Sequence, residues 1–275
     1  MTPRVAITLD FDAIALWMVR GMTSPGPVSR GEFGAYAIPR ILGSLRSRDI
    51  TATFFVPGHT VETYPEQCRM IRDAGHELAL HGYVHELVST LTEEGERETI
   101  ERSVEAFDRV LGVQPVGLRT PSWDFTAHTV PLIEEAGLIY DSSLMGQDYE
   151  PYFVRKGDAC PPDAPFVFGE TTGIVEIPVA WSLDDYPQLE WLKSDAGVQP
   201  GPKTAKEMFE AYFDDFTYMT QIQPGGVSIA TFHPQVLGRG QRMLHFNAYL
   251  DRLLEAGAGF VTCEQVARDF LAAGR

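Results

Sequence analysis

Short apolar, β-branched runs alternate with longer amphipathic segments along nearly the whole chain, and this alternation constrains the fold more than any other feature. Candidate strands cover 5–9, 51–56, 77–80, 116–118, 139–140, 174–177, 227–232 and 259–261. Candidate helices cover 33–46, 65–74, 92–111, 126–136, 204–221, 241–256 and 264–272. The punctuation agrees: Thr92 precedes an acidic first turn, and Gly75, Gly112, Gly137 and Gly257 follow last turns. Such a rhythm predicts a mostly parallel sheet with crossover helices, and 275 residues suit one α/β domain spanning 1–275. Two stretches, 13–32 and 142–173, read as long irregular segments, which in a compact domain serve as covers over a site or as oligomer contacts.

Polar side chains fall just after the strands. Asp10 and Asp12 end the first, His59 follows the second, and His81 follows the third. Arg119 ends the fourth, Trp181, Asp184 and Asp185 follow 174–177, and His233 ends 227–232. In barrels of parallel strands the strand C-termini share the face that carries the active site, so this placement reads as an enzyme. His81 and His85 stand four apart, which on one face of a helical turn would let both rings reach one metal ion. A carboxylate from another strand would complete a two-histidine, one-carboxylate site. Asp10 and Asp12 are two apart, so an extended backbone would send both the same way, one toward a metal and one toward a water proton.

With 38 acidic against 22 basic residues, the net charge of −16 argues against a nucleic-acid or anionic-membrane partner, which would need a basic patch. Cys68, Cys160 and Cys263 are scattered, without zinc-finger or redox-pair spacing. The N-terminal residues run straight into a strand-like segment, and no apolar run is long enough to span a bilayer. A reduced, cytoplasmic protein is the expectation.

Four segments together resemble the polysaccharide deacetylase (NodB homology) family over nearly the whole chain. They are Thr8-Leu9-Asp10-Phe11-Asp12, His81-Gly82-Tyr83-Val84-His85, Arg119-Thr120-Pro121-Ser122-Trp123 and Ile229-Ala230-Thr231-Phe232-His233-Pro234. The resemblance implies a distorted (β/α)7, TIM-like barrel. It implies Asp10 as general base, His233 as general acid, Arg119 as the group that orients or tunes Asp10, and Asp12, His81 and His85 as ligands of one divalent metal. Zinc is the expected ion, with cobalt, nickel and iron as alternatives and a metal-free mechanism left open. The commonest first motif has adjacent aspartates; here Phe11 separates them. That form resembles a branch containing Helicobacter-type peptidoglycan deacetylases, PuuE-type allantoinases and cyclic imide hydrolases, and it implies a homo-oligomer, possible as a tetramer.

Trp17, His59, Tyr83, Trp123, Trp181 and Asp184 are candidate pocket residues, although core packing is the default for aromatics. Asp184 or Asp185 could pair with His233. His76 is expected to be structural, and His128 and His245 to be surface or packing residues. Hydrolysis of the C–N bond in a small cyclic amide or imide is the first reading of function. Three features favour it: the separated aspartates of the first motif, the absence of an export signal and the two long segments able to close over a pocket. Deacetylation of an acetylated sugar or of a peptidoglycan- or chitin-type polymer is the alternative. A non-catalytic carbohydrate-binding protein would need a lost base, ligand or acid, and none is lost.

Overall fold

β1 (Arg4–Asp10) is buried from Val5 onward on both faces, as its unbroken apolar run requires. It pairs in parallel with β10 (Val227–Phe232) on one side, and on the other with β2 (Thr53–Val56) and, nearer its start, the short β11 (Gly259–Phe260). The sheet continues through β3 (Glu77–Leu80), β4 (Gly117–Leu118), β5 (Tyr140–Asp141) and β7 (Glu170–Glu176) to the edge strand β6 (Tyr152–Lys156), giving nine strands. Every pairing is parallel except β6 with β7. A separate two-stranded ribbon joins β8 (Leu192–Ser194) to β9 (Gly197–Gln199). This computed structural model describes residues 2–194, 197–199 and 203–274.

The helices are α1 (Ala15–Val19), α2 (Pro25–Arg46), α3 (Gly58–Thr63), α4 (Pro65–Asp73), α5 (Glu93–Leu111), α6 (Thr129–Glu135), α7 (Asp185–Leu189), α8 (Ala205–Ile222), α9 (Pro234–Leu237), α10 (Gly240–Glu255) and α11 (Cys263–Ala272). The sheet curls into a half-barrel, and a parallel bridge between Asp184 and Thr231 links the segment after β7 to β10. The distorted-barrel expectation holds as a single α/β domain. No helix among the described residues is long and apolar enough to cross a membrane.

The long segments differ from expectation. Residues 13–32 hold α1 and the opening turns of α2, which begins at Pro25 rather than at 33. The Pro25-Gly26-Pro27 run looks like loop punctuation, but a first-turn proline forfeits no helical bond because those N–H groups have no intrahelical acceptor. Residues 142–173 contain β6 and the start of β7. As an edge strand, β6 is only partly buried and lacks the apolar run that marks a core strand. Elsewhere the ends are chemically set. Thr92 Oγ1 accepts from Gly95 N at the start of α5, Gly112 closes that helix at φ +64°, and Thr204 with Glu207 forms a capping box on α8.

Candidate active site

β1, β3, β4 and β10 all point their C-terminal ends at one face, so Asp10, His81, Arg119 and His233 arrive there from four strands. They meet around a cavity of about 190 Å³, lined by Asp10, Asp12, His81, His85, Asp184 and His233 among others. At the opposite end His76 accepts a bond from Ala52 N at 3.1 Å, a structural role as expected.

The His81–His85 segment is not a helical turn. Gly82 (φ +66°) and His85 (φ +67°) are left-handed, and Glu86 Oε2 ties down the N–H groups of Tyr83 and Val84 at 2.9 and 3.0 Å. A side chain on Gly82 would meet Pro121 Cγ at 2.8 Å. The tight turn still brings the two rings together, with centroids 5.0 Å apart. Gly82 was the visible sign against a helix.

His81, His85 and Asp12 form one cluster. His81 Nδ1 lies 2.7 Å from Arg119 O, and a carbonyl only accepts, so Nδ1 carries the proton and Nε2 presents its lone pair. That Nε2 faces Asp12 Oδ1 at 3.4 Å, with His85 Nε2 3.8 Å from the same oxygen. Both Asp12 Oδ1 and His81 Nε2 are buried without a hydrogen-bond partner. Facing lone pairs in a buried place are costly unless a cation lies between them, so this donor set fits a divalent metal. Burial lowers the pKa of both histidines, which keeps them neutral as ligands must be. Burial and the neighbouring Asp10 push Asp12 up to about 7.

Arg119 is fully buried and fixed by its donors. Nε and Nη2 donate to Ser142 O and Oγ, both at 2.9 Å, while Nη1 donates to Asp10 Oδ1 at 2.8 Å and to Thr8 Oγ1 at 3.0 Å. Burial alone would raise the pKa of Asp10, but Arg119, with His81 and His233, holds it below the usual carboxylate range. Asp10 is therefore an ionised base.

His233 is the reverse of His81. Burial alone would depress it, yet Asp184 and Asp185, with Asp12, raise it well above 6.5, so it keeps its proton near neutral pH. Asp185 is the direct partner: its Oδ1 accepts from His233 Nδ1 at 2.9 Å and from its backbone N at 3.0 Å. Asp184 stands further off, at 3.5 Å, and accepts from Tyr186 N. His233 Nε2 reaches to 3.9 Å from Asp10 Oδ2 and 3.8 Å from Asp12 Oδ2.

Of the candidate pocket residues, Trp123, Trp181 and Asp184 line the cavity, and Trp17, His59 and Tyr83 do not. Trp17 is wholly buried under the Arg30 guanidinium, and its neighbour Leu16 faces the site instead. Tyr83 turns outward to donate to Glu62, because Gly82 reverses the chain before it. His59 sits on α3 beside Thr63. Ser122, from the Arg119–Trp123 segment, and Tyr186, beside Asp185, also line the cavity; sequence reasoning missed Leu16, Arg20 and Pro187 there, and Gln235, which donates to Asp12 Oδ2 at 3.2 Å. Of these, only Gln235 had a signal, its place two residues after His233.

The polysaccharide deacetylase family model matches residues 25–140, which include His81, His85 and Arg119. A peptidoglycan deacetylase of Helicobacter pylori is 35% identical over 97% of this chain and 96% of its own. A peptidoglycan deacetylase-like protein of Gibberella zeae is 28% identical over 98% of this chain and 86% of its own. Among solved structures, a Mycobacterium smegmatis protein provisionally named a polysaccharide deacetylase superposes with a TM-score of 0.88 at 33% identity, over 99% of this chain and 91% of its own. PuuE allantoinase superposes with a TM-score of 0.77 at 19% identity, over 98% and 90%, which shows a shared fold. The fold and site define a hydrolase of carbon–nitrogen bonds. The chain belongs to the polysaccharide deacetylase family.

Proposed function

We propose that this enzyme removes the acetyl group from an N-acetylated sugar, with Asp10 as base, His233 as acid and Asp12, His81 and His85 as ligands of one zinc ion. One observation carries the chemistry: an ionised Asp10 and a protonated His233 stand 3.9 Å apart beside the Asp12–His81–His85 cluster. When bound, the ion supplies Lewis-acid chemistry, polarising the acyl oxygen and lowering the pKa of water toward about 7. Asp10 accepts the proton of the attacking water as its oxygen bonds to the amide carbon. His233 then donates its proton to the nitrogen as the C–N bond breaks, because an amide nitrogen leaves poorly until protonated. Acetate and an amine result. Arg119 positions Asp10 and keeps it charged.

The names of the H. pylori and M. smegmatis relatives support an acetylated glycan over the cyclic amide that the separated aspartates suggested. So does the mouth of the site. Trp123 and Trp181 stack with ring centroids 4.0 Å apart, and Trp181 stays 45% exposed, an apolar platform suited to the C–H face of a sugar ring. Ser122 and Trp123 hold left-handed backbones (φ +55° and +53°) to present that platform. Ring opening of a small cyclic amide is the second reading, favoured by the modest cavity of about 190 Å³.

The test is a panel of chitooligosaccharides, N-acetylmuramic acid, succinimide, hydantoin, dihydrouracil and allantoin, assayed with and without zinc. Zinc-dependent acetate release from the sugars is expected. Ring opening without acetate release would replace the first reading by the second.

A further inference from the structure

Most charges of the site close on one another, with Asp184 held mainly by the Tyr186 backbone N–H and by His233 at 3.5 Å. Asp10 is paired with Arg119, Asp185 with His233, and Asp12 belongs to the metal-ligand cluster. Arg20, at the C-terminal end of α1, lines the same cavity, and among the described residues no carboxylate lies within ion-pair distance of its guanidinium. Its hydrogen-bond partner is neutral: Nη1 donates to Tyr186 Oη at 2.9 Å, with the guanidinium carbon 5.7 Å from that ring's centroid. Its charge reaches Asp12 through space, but no carboxylate holds it directly, although the chain has 38 acidic and 22 basic residues. Tyr186 also packs against the acid, its ring tilted 56° to that of His233 with centroids 5.2 Å apart. The Arg20–Tyr186 pair therefore lies one side chain away from where the scissile nitrogen must receive its proton.

We infer that Arg20, steadied by Tyr186, binds a carboxylate carried by the substrate close to the amide that is cut. The guanidinium presents a planar fork of donors matched to a carboxylate, and one bond to a neutral phenol fixes its direction while leaving the remaining donors for ligand. The substrate class narrows to N-acyl compounds that also bear an acid group, such as an N-acetylated sugar with a carboxylate-bearing ether. This rests on the deacetylase reading for the bond cut. The charge preference belongs to the pocket and can be measured without turnover. Arg20 acts here as a specificity residue.

The experiment compares N-acetylmuramic acid with its methyl ester, a neutral near-isostere, on zinc-loaded wild type, Arg20→Ala, Arg20→Lys and Tyr186→Phe. Both kcat/KM and equilibrium binding by calorimetry are measured at low and high salt. Wild type should prefer the acid by about 10- to 100-fold, the scale of a hydrogen bond to a charged group. That ratio should collapse toward unity in Arg20→Ala, recover in part in Arg20→Lys, fall modestly in Tyr186→Phe, and shrink with salt because the mouth is solvated. A ratio near unity in wild type, or one that Arg20→Ala leaves unchanged, overturns the inference. If neither compound is hydrolysed but the acid still binds more tightly in an Arg20-dependent way, the inference stands and the deacetylase reading falls.

Discussion

Two clusters of one histidine-and-carboxylate chemistry sit side by side on the C-terminal face of the sheet, and they do opposite things. Asp12, His81 and His85 are close enough to hold an ion, and so are Asp184, Asp185 and His233. In the first, the inward atoms Asp12 Oδ1 and His81 Nε2 face each other at 3.4 Å without a hydrogen bond. In the second, a proton already sits between His233 Nδ1 and Asp185 Oδ1 at 2.9 Å, and only Asp185 Oδ2 is left over. Burial neutralises His81 and His85, whereas carboxylates override burial at His233. Where each proton goes, rather than how many ligand-type atoms gather, separates a metal site from a proton donor.

The largest effect expected is on turnover when either proton carrier is removed. Asp10→Asn and His233→Ala should each lower kcat by about 10²- to 10⁴-fold with folding intact by circular dichroism. A near-normal kcat in His233→Ala would dissolve the contrast between the clusters.

Next comes Asp185→Asn. His233 must be protonated to donate, and its raised pKa owes much to Asp184 and Asp185. Removing the Asp185 charge lowers that pKa, so the alkaline limb of the kcat–pH profile should move toward acid, with a rate loss of roughly 10- to 10²-fold near pH 8. A loss of rate with an unmoved limb would show that Asp185 merely orients the ring.

A third acidic pair extends the comparison to carboxyls that serve neither purpose. Asp141 and Glu176 are buried together, and Glu176 Oε1 accepts from Ser143 N and Leu144 N at 3.0 and 2.9 Å. Burial, with Asp141 beside it, holds the Glu176 pKa well above 4.5. The stability this protonated form contributes is fully present below about 4.5 and is lost as pH rises through the raised value. Glu176→Gln keeps the accepting oxygen and cannot ionise, so its melting temperature relative to wild type should climb by about 2–4 °C between pH 5 and pH 8. A pH-independent difference would mean that Glu176 is ionised in the fold. The smallest effect is expected at side chains turned away from the cavity: Tyr83→Phe and His59→Ala should leave kcat/KM within about threefold, matching surface changes of roughly 0.5 kcal/mol.

Much of this site was legible in the sequence because strand ends advertise themselves. Asp10, His81, Arg119 and His233 each follow an apolar run, and parallel topology carries such positions to one face. What stayed hidden depended on backbone reversals. The left-handed Gly82 replaced the expected helical turn and sent Tyr83 outward. The helix beginning at Pro25 turned an apparent cover into α1 and α2, and α1 with its C-terminal end supplies Leu16 and Arg20 instead of Trp17. Asp184 and Asp185 could not be told apart by position. The geometry separates them because Asp184 caps α7 while Asp185 bonds the His233 ring.

Metal stoichiometry tests the central claim most directly. Wild type, His81→Ala and His233→Ala, stripped with chelator and dialysed against zinc, are analysed for bound metal per chain, with affinity read by calorimetry. The account predicts one tightly bound ion in wild type and in His233→Ala, and loss of that ion in His81→Ala. Metal retained in His81→Ala but lost in His233→Ala would contradict it, placing the ion in the cluster assigned here to the proton.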